Sequence, residues 1–265
     1  MSEIIYDMPD AEYRAAPGVS NSMLKLLSRS PAHLKAALDK PPKPTPAMVL
    51  GTLAHALILE NRVEYHIKPD DYDGRTKAGR TWKDAHSDKP ALSIDEAEVL
   101  AEMREAVLVH PVAAALLSGA GGRAEVSLFG LDVATGQRRK ARSDWLTYSR
   151  DGTPWIVDIK TTEDASPESF MRASWSLRYH VQAAYYVDLL HHVIGGERPA
   201  FIFIAVEKEP PYACAVYRPT ADALRIGDET WRRDLDRYAQ CAERNEWPAY
   251  GDGMIDLGVP GWVRS

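Results

Sequence analysis

The 265-residue chain has little cysteine and no long apolar run, and each of these features excludes certain classes of protein. Its only two cysteines, Cys214 and Cys241, form no C-x-x-C pair. This excludes a cysteine-ligated zinc or iron–sulfur site and fits a reducing cytoplasm. No stretch approaches the roughly eighteen apolar residues of a membrane span. The first residues, MSEIIYDMPDAEYR, lack the basic-then-apolar order of a signal peptide, so we expect a cytoplasmic protein without a membrane association.

Positive charge is outnumbered by negative charge, because 32 lysines and arginines face 38 acidic residues and give a formal net charge of −6. This balance argues against binding nucleic acid through bulk charge but allows a local basic surface. The stretch YDGRTKAGRTWK, which we predict to be a mobile glycine-containing loop, carries the cations Arg75, Lys77, Arg80 and Lys83. The stretch GQRRKARSDW carries Arg138, Arg139, Lys140 and Arg142. Each cluster is either a contact for DNA phosphates or ordinary solvated surface.

Hydrophobic periodicity predicts helices in the first part of the chain. One helix is capped by Ser20 or Asn21 and continues to Leu38, and an almost wholly apolar helix covers residues 47–60. Four prolines between residues 41 and 46 predict a loop between them. A further helix over residues 94–117 starts at Ser93 or Asp95 and is interrupted near Pro111.

After the glycine pair 121–122 the period changes to that of strands. The segments AEVSLFGLD, RRKARSDWLTYS and PWIVDIKTT predict a three-stranded meander. A helical region from Ser166–Pro167 to Gly195, a further strand pair and a long helix capped by Thr220 follow. We therefore predict one α/β (strictly α+β) domain over residues 1–265. Residues 1–118 form its helical N-terminal part and residues 119–265 its sheet and flanking helices.

The three strands of the meander carry acids that we expect to lie close together. Asp158 and Lys160 are two residues apart, so they point to one face of their strand. Taken alone, this pair is a surface ion pair. Glu125 and Asp144 on the two preceding strands would repel Asp158 unless a cation lay between them. Oxygen ligands suit Mg²⁺, with Mn²⁺ as a substitute, and Lys160 would then orient or deprotonate a water or stabilise a phosphorane-like transition state.

These residues resemble the motif of the PD-(D/E)xK nuclease superfamily. Asp144 in RSDWL matches its first Asp, and Asp158-Ile159-Lys160 in VDIKTT matches its D/E-x-K. The resemblance implies a restriction-endonuclease-like core, with a central mixed sheet flanked by helices and an N-terminal helical elaboration. It also implies that Asp144, Asp158 and the Ile159 carbonyl bind the metal. The role of Glu125 stays open between a ligand and a residue that orients the water.

Two further motifs extend this resemblance. His55 in GTLAHALILE resembles the histidine of the G-T-x-x-H helix in the RecB-like branch, where it is a metal ligand. Without the acids, a histidine in an apolar helix would be a core residue. Gln182 and Tyr186 match the family's Q-x-x-x-Y motif, and their spacing places them on one helical face, toward DNA or the active site. Without the other motifs they would be ordinary residues of an amphipathic helix.

The whole pattern, from SNSMLKLLSRSPAHLKA to RYHVQAAYY, resembles the RecE-type exonucleases (the exonuclease VIII catalytic domain) of phages and prophages. That resemblance implies a Mg²⁺-dependent exonuclease that resects double-stranded DNA ends 5′-to-3′. The resulting 3′ strands would pass to a RecT-type annealing protein in recombination, and the subunits would form a ring around DNA in a bacterial cytoplasm. Two alternatives remain, a structure-specific endonuclease and a non-catalytic DNA-binding subunit. The intact Asp144, Asp158 and Lys160 favour an enzyme.

Overall fold

A six-stranded mixed sheet forms the centre of the computed structural model, which describes residues 2–119, 121–251 and 253–259. Its strand order is β1-β4-β5-β6-β7-β8, and a separate pair consists of β2 and β3. The strands are β1 (Glu3–Ile5), β2 (His66–Ile67), β3 (Ala91–Leu92), β4 (Arg123–Leu131), β5 (Arg138–Tyr148), β6 (Pro154–Thr162), β7 (Ala200–Glu207) and β8 (Cys214–Tyr217).

The middle of the sheet is the predicted meander, because β4, β5 and β6 pair antiparallel in chain order. Strand β7 instead runs parallel to β6, since a helical crossover separates the two, and β8 returns antiparallel to β7. Strand β1 pairs antiparallel with β4. The sequence analysis did not predict β1, because three residues are too short to show a period.

Ten helices lie among the described residues, most of them packed on the two faces of the sheet. They are α1 (Asp10–Ala15), α2 (Asn21–Arg29), α3 (Pro31–Asp39), α4 (Pro46–Glu60), α5 (Lys77–Ala85), α6 (Ile94–Val109), α7 (Pro111–Leu117), α8 (Pro167–Ser176), α9 (Tyr179–Ile194) and α10 (Ala221–Arg244). None of these helices has the length and apolar character needed to cross a membrane.

Two helical predictions are corrected. The single helix expected to reach Leu38 is divided into α2 and α3. Ser30 ends the first helix and caps the second by accepting the His33 N–H, and Pro31 occupies the first position of α3. Within the basic stretch predicted to be a mobile loop, the residues from Lys77 onward instead form α5, whose cap is the Thr76 hydroxyl.

Two hydrophobic clusters lie on opposite faces of the sheet, and β6 contributes to both. Ile156 belongs to the cluster that includes α9 and α10, whereas Val157 and Ile159 belong to the cluster that includes α4 and α6. Because strand side chains alternate, Asp158 and Lys160 share the face of α9, and the backbone of Ile159 lies near α4. The side chains of Asp158 and Lys160 on one face of the sheet and polar groups of α4 on the other can therefore meet at the end of β6.

Candidate functional site

The site lies where β5 and β6 separate. The two strands pair from Tyr148–Pro154 to Trp145–Val157, and Asp144 is the next residue of β5. Its Oδ2 accepts the backbone N–H of Ile159 at 2.9 Å. This side-chain bond joins β5 to β6 beyond the last backbone pair of the two strands. The carboxylate of Asp144 is thereby fixed at the fork between the strands.

Glu125 lies on the other side of Asp144. It is the residue between the pairs Ala124–Trp145 and Val126–Ser143, directly opposite Asp144 on β4. Its φ of 53° is in the left-handed region, a conformation that is uncommon for a residue with a side chain. Such strained positions occur at functional sites, and here the strand brings a second carboxylate beside the first.

His55 from α4 completes a group of three. One potential ligand atom from each of His55, Glu125 and Asp144 lies within 4.8 Å of the other two. The His55 Nδ1 atom is 3.6 Å from Asp144 Oδ2, and its Nε2 atom is 2.9 Å from the Ile159 carbonyl oxygen. Because a carbonyl only accepts, Nε2 carries a hydrogen, and Nδ1 is the ring atom directed at Asp144 and placed to bind a metal.

Both carboxyl groups of this trio are held in an environment that disfavours their charge. Burial and the neighbouring Asp144 raise the pKa of Glu125, although Arg142, 2.6 Å from its Oε2, opposes the rise. Burial also raises the pKa of Asp144, with Asp158 adding to the rise and His55 opposing it. A divalent cation would relieve this repulsion, and two carboxylates with one imidazole are a suitable donor set for it.

Asp158 and Lys160 form a second cluster together with Gln182 from α9. Lys160 Nζ is 2.7 Å from Asp158 Oδ2 and donates to Gln182 Oε1 at 3.0 Å. Gln182 Nε2 donates to Asp158 Oδ1 at 2.6 Å, which closes the triangle. Asp158 is only 2% exposed. With Asp158 buried and Lys160 only partly exposed, this is not a surface ion pair, and Gln182 binds both of its members.

The charge of Lys160 is maintained by its neighbours. Burial alone would lower the pKa of its ammonium, but the charges of Asp158 and Asp144 outweigh burial and raise it. The ring of Tyr179 also lies 4.6 Å from Nζ, within the range of a cation–π contact. The sequence motifs did not include Tyr179. Its position three residues before Gln182, on the same helical face, was the available signal.

The structure thus places the predicted site residues in two adjacent groups. His55, Glu125 and Asp144 meet directly, and Asp158, Lys160 and Gln182 form the second group. The Ile159 carbonyl, expected in the metal shell, accepts the His55 ring N–H. Tyr186 is partly buried against the core and packs edge-on against Phe201 at 6.1 Å.

In the second basic cluster, Arg139 and Lys140 make contacts within the protein. Arg139 is 2% exposed, and its Nη1 lies 2.7 Å from Asp188 Oδ2. Lys140 is buried, and its Nζ donates to three backbone carbonyls, those of Tyr13, Arg14 and Ala16. These two side chains have no free face for phosphates, so we assign them to stability. Arg138 remains exposed.

The first basic cluster is exposed and lies on or just before α5. Lys77, Arg80 and Lys83 are exposed members of the helix and form no salt bridge within the described part of the chain. Arg75 is exposed but pairs with Asp73 at 3.0 Å. Three cations on one short helix are thus available to a polyanion.

A family model and one solved structure agree with the fold. A family model described as a PDDEXK-like domain of unknown function (DUF3799) matches residues 20–256. The crystal structure of a "Putative exonuclease" from Eubacterium rectale aligns with a TM-score of 0.61 and 14% identity, covering 98% of this chain and 99% of that one. The crystal structure of SSO0001 aligns at 16% identity over 70% of this chain and 84% of that one, with a TM-score of only 0.30. None of the curated proteins matches the chain.

Proposed function

Because the chain belongs to the family of PDDEXK-like domains of unknown function (DUF3799), we propose that it is a metal-dependent deoxyribonuclease. The observation that carries the proposal is the meeting of His55, Glu125 and Asp144 at the fork beside the Asp158–Lys160 pair. A divalent cation held there would act as a Lewis acid and lower the pKa of a bound water. Mg²⁺ is the ion we propose, with Mn²⁺ able to replace it.

The residues of the chain have separate tasks in this proposal. His55, Glu125 and Asp144 hold the cation, and Asp158 is close enough to Asp144 to influence its charge. Lys160 supplies a fixed positive charge for the phosphate and orients the attacking water. Gln182 keeps Lys160 and Asp158 in register, so its role is positioning.

We further propose that the substrate is the end of double-stranded DNA. The sequence resemblance to RecE-type exonucleases supports 5′-to-3′ digestion that leaves 3′ single strands. The same resemblance supports a RecT-type annealing partner, a ring of subunits and a phage or prophage role in recombination within a bacterial cytoplasm. The exposed cations of α5, together with Arg138, would contact the DNA backbone.

The experiment that tests this function uses two DNA substrates of the same sequence. A linear duplex labelled at its 5′ ends and the covalently closed circle are each incubated with the protein, with Mg²⁺ or with EDTA. We expect release of labelled nucleotides from the linear duplex only, only with Mg²⁺, and none with the Asp144→Asn variant.

Other outcomes identify the alternatives. Cutting of the closed circle would replace the exonuclease by an endonuclease of the same fold. Binding of duplex ends without hydrolysis in Mg²⁺ or Mn²⁺ would indicate a non-catalytic subunit and would reject the enzyme.

A further inference from the structure

The last strand of the sheet, β8, has an open edge. It pairs with β7 on one side and with no other strand in the part of the chain that the structure describes. Glu207 N–H donates to the Ala213 carbonyl at 3.0 Å, which identifies that pair as hydrogen-bonded. In an antiparallel ladder such pairs alternate, so the N–H and C=O groups of Cys214 and Val216 point away from β7. The edge therefore presents two donors and two acceptors to another strand.

Apolar space accompanies this edge along its length. A cavity of about 590 Å³ is lined by β8 itself together with Val112 and Pro167. It is continued at Tyr217 by a cavity of about 460 Å³ that Met171 and Trp175 border. Three of the flanking side chains, Val112, Met171 and Trp175, are exposed. An open edge with apolar side-chain pockets is the arrangement that binds an added strand.

The chain also contains a segment that fits such an edge. Residues 253–259, Gly-Met-Ile-Asp-Leu-Gly-Val, have no regular secondary structure. Met254 is 97% and Leu257 99% exposed, which is unusual for apolar side chains. As a strand, the segment would place Ile255, Leu257 and Val259 on one face, the alternation that one-sided burial requires.

Opposite charges on the edge and on the segment favour binding of the segment near the C-terminal end of β8. Arg218 directly follows β8, is exposed, and pairs with no carboxylate among the described residues. Asp256, the acid of the segment, is likewise exposed and forms no salt bridge there. Their pairing would fix the segment beside the cavity that Trp175 borders.

We propose that residues 253–259 of one copy add as a strand to the β8 edge of a second copy. The segment starts far from its own edge: α10 begins just after β8, and its 24 residues extend about 36 Å before the chain turns toward the segment. Tyr250 is then held on the molecule by a bond from Arg29 Nε at 3.3 Å and by its ring contact with His33. A contact in which the edge of one copy receives the segment of the next joins copies head to tail and closes as a ring when the rotation permits.

The test compares self-association in four forms of the protein. These are the full chain, a chain ending at Tyr250, and the full chain with Val216→Pro or Val216→Thr. Proline removes the outward N–H at a position where an edge strand tolerates it, whereas threonine keeps both the N–H and the β-branched shape. By light scattering after gel filtration, we expect the full chain and Val216→Thr to be oligomers. The other two should associate at least tenfold more weakly, with unchanged circular dichroism.

A second variant and a second measurement keep the test decisive. If Val216→Pro does not fold, the full chain with Met254, Ile255 and Leu257 each changed to Ser replaces it, because these exposed residues support no folded element. Hydrogen exchange of the Cys214 and Val216 amides should be at least tenfold slower in the full chain than in the shortened one. The Ala215 amide, which faces β7, should not change.

Two results would overturn the proposal. One is an identical molar mass for the full and shortened chains over the whole concentration range. The other is slow exchange of Cys214 and Val216 in a monomeric full chain, which would mean that the segment covers its own edge.

Discussion

At the scale of a single residue, Asp144 has two opposite effects in our proposal, because its largely buried carboxylate destabilises the fold and the same carboxylate would bind the metal. Because its pKa is raised, the native state holds this proton more tightly than the unfolded chain. The destabilisation is therefore fully present above the raised pKa, decreases as the pH falls below it, and is lost only below the ordinary pKa of an aspartate. We expect metal-free Asp144→Asn to melt a few degrees above the parent at mildly alkaline pH, about 1 kcal/mol in a domain of this length.

Thermal melts in EDTA across pH measure this prediction. The difference between Asp144→Asn and the parent should shrink toward acid pH, where the parent's carboxyl is protonated. A variant that is less stable than the parent at every pH would show that the bond to the Ile159 N–H outweighs the burial of charge.

His55 should act as a ligand, because its Nδ1 faces Asp144 while its Nε2 is fixed by Ile159. We expect His55→Ala to weaken Mn²⁺ binding at least tenfold in calorimetry, and the exposed His191→Ala to leave it unchanged. Glu125 and Asp144 must be ionised to bind the cation, so affinity should fall as the pH drops through their raised pKa values. Loss of thermal stability with unchanged Mn²⁺ affinity would make His55 a core residue.

Lys160 should contribute to the rate and hardly at all to binding. Removing one such charge-stabilising group costs about two to three decades in rate, or roughly 3–4 kcal/mol. We expect Lys160→Ala to bind duplex ends in Ca²⁺ like the parent but to release almost no nucleotides in single-turnover digestion. Lys160→Arg should not restore the rate, because a planar guanidinium does not fit the place of a compact ammonium. Cutting by Lys160→Ala near the parental rate would remove the centre of the proposed mechanism.

Tyr179 offers a matched control for the same step. Tyr179→Phe keeps the ring beside the ammonium and should retain the parental rate, whereas Tyr179→Leu should lower the rate about tenfold. An equal decrease in both variants would indicate that the hydroxyl, and not the ring, is what matters.

At the scale of elements, α5 should serve as a phosphate contact that does not read sequence. We expect Lys77, Arg80 and Lys83 changed together to Gln to weaken binding equally for all duplex sequences. The salt slope of log K should fall by about one unit for each phosphate that the variant no longer neutralises. Fluorescence anisotropy over a salt series measures this slope. A control that neutralises the exposed Lys40, Lys43 and Arg150 should leave it unchanged, and an unchanged slope in the α5 variant would reduce the helix to solvated surface.

The elements that the sequence predicted correctly are those whose signals are local. The meander follows from alternation and turns, and the caps Ser20, Ser93 and Thr220 follow from hydroxyls that accept an N–H three residues on. Helix α5 was missed because Gly74 before it and Gly79 within it suggested a loop, although Gly79 is needed where a Cβ would lie 2.0 Å from the Asp73 carbonyl oxygen. A close approach between two backbone segments produces no periodic pattern in the sequence.

For the site as well, local motifs predicted the residues, whereas contacts between distant elements were not predictable from the sequence. Motif order brought Asp144, Asp158, Lys160 and His55 to one place, but it did not assign their partners. That Gln182 holds Asp158, and that Asp188 neutralises Arg139, depends on α9 packing against the sheet. From the sequence alone, a charged residue on a strand is expected to face solvent. Its burial can be inferred only once the structure shows the distant acid that pairs with it.

At the scale of the whole molecule, Arg139 joins the sheet to two helices. Its guanidinium pairs with Asp188 of α9 and lies 4.7 Å from the ring of Trp231 in α10. Without Arg139, Asp188 would keep its second partner, Arg232 at 2.7 Å, so the expected cost comes from the lost packing and cation–π contact of the guanidinium, about 1–3 kcal/mol. We expect Arg139→Ala to lower the free energy of unfolding by about that amount in urea titrations, whereas exposed Arg138→Ala should be neutral. Equal small effects of the two changes on stability would contradict a structural role for Arg139.

The bond between His55 and the Ile159 carbonyl joins residues 104 positions apart in the chain. Contacts of such high contact order form late, because a long loop must be closed before they add stability. During synthesis α4 leaves the ribosome well before β4, β5 and β6, so the nascent chain carries His55 long before the acids of the site exist. The metal site that we propose is therefore complete only after the N-terminal helices have docked on the finished sheet. Any activity that depends on His55 would then begin only when the whole domain has folded.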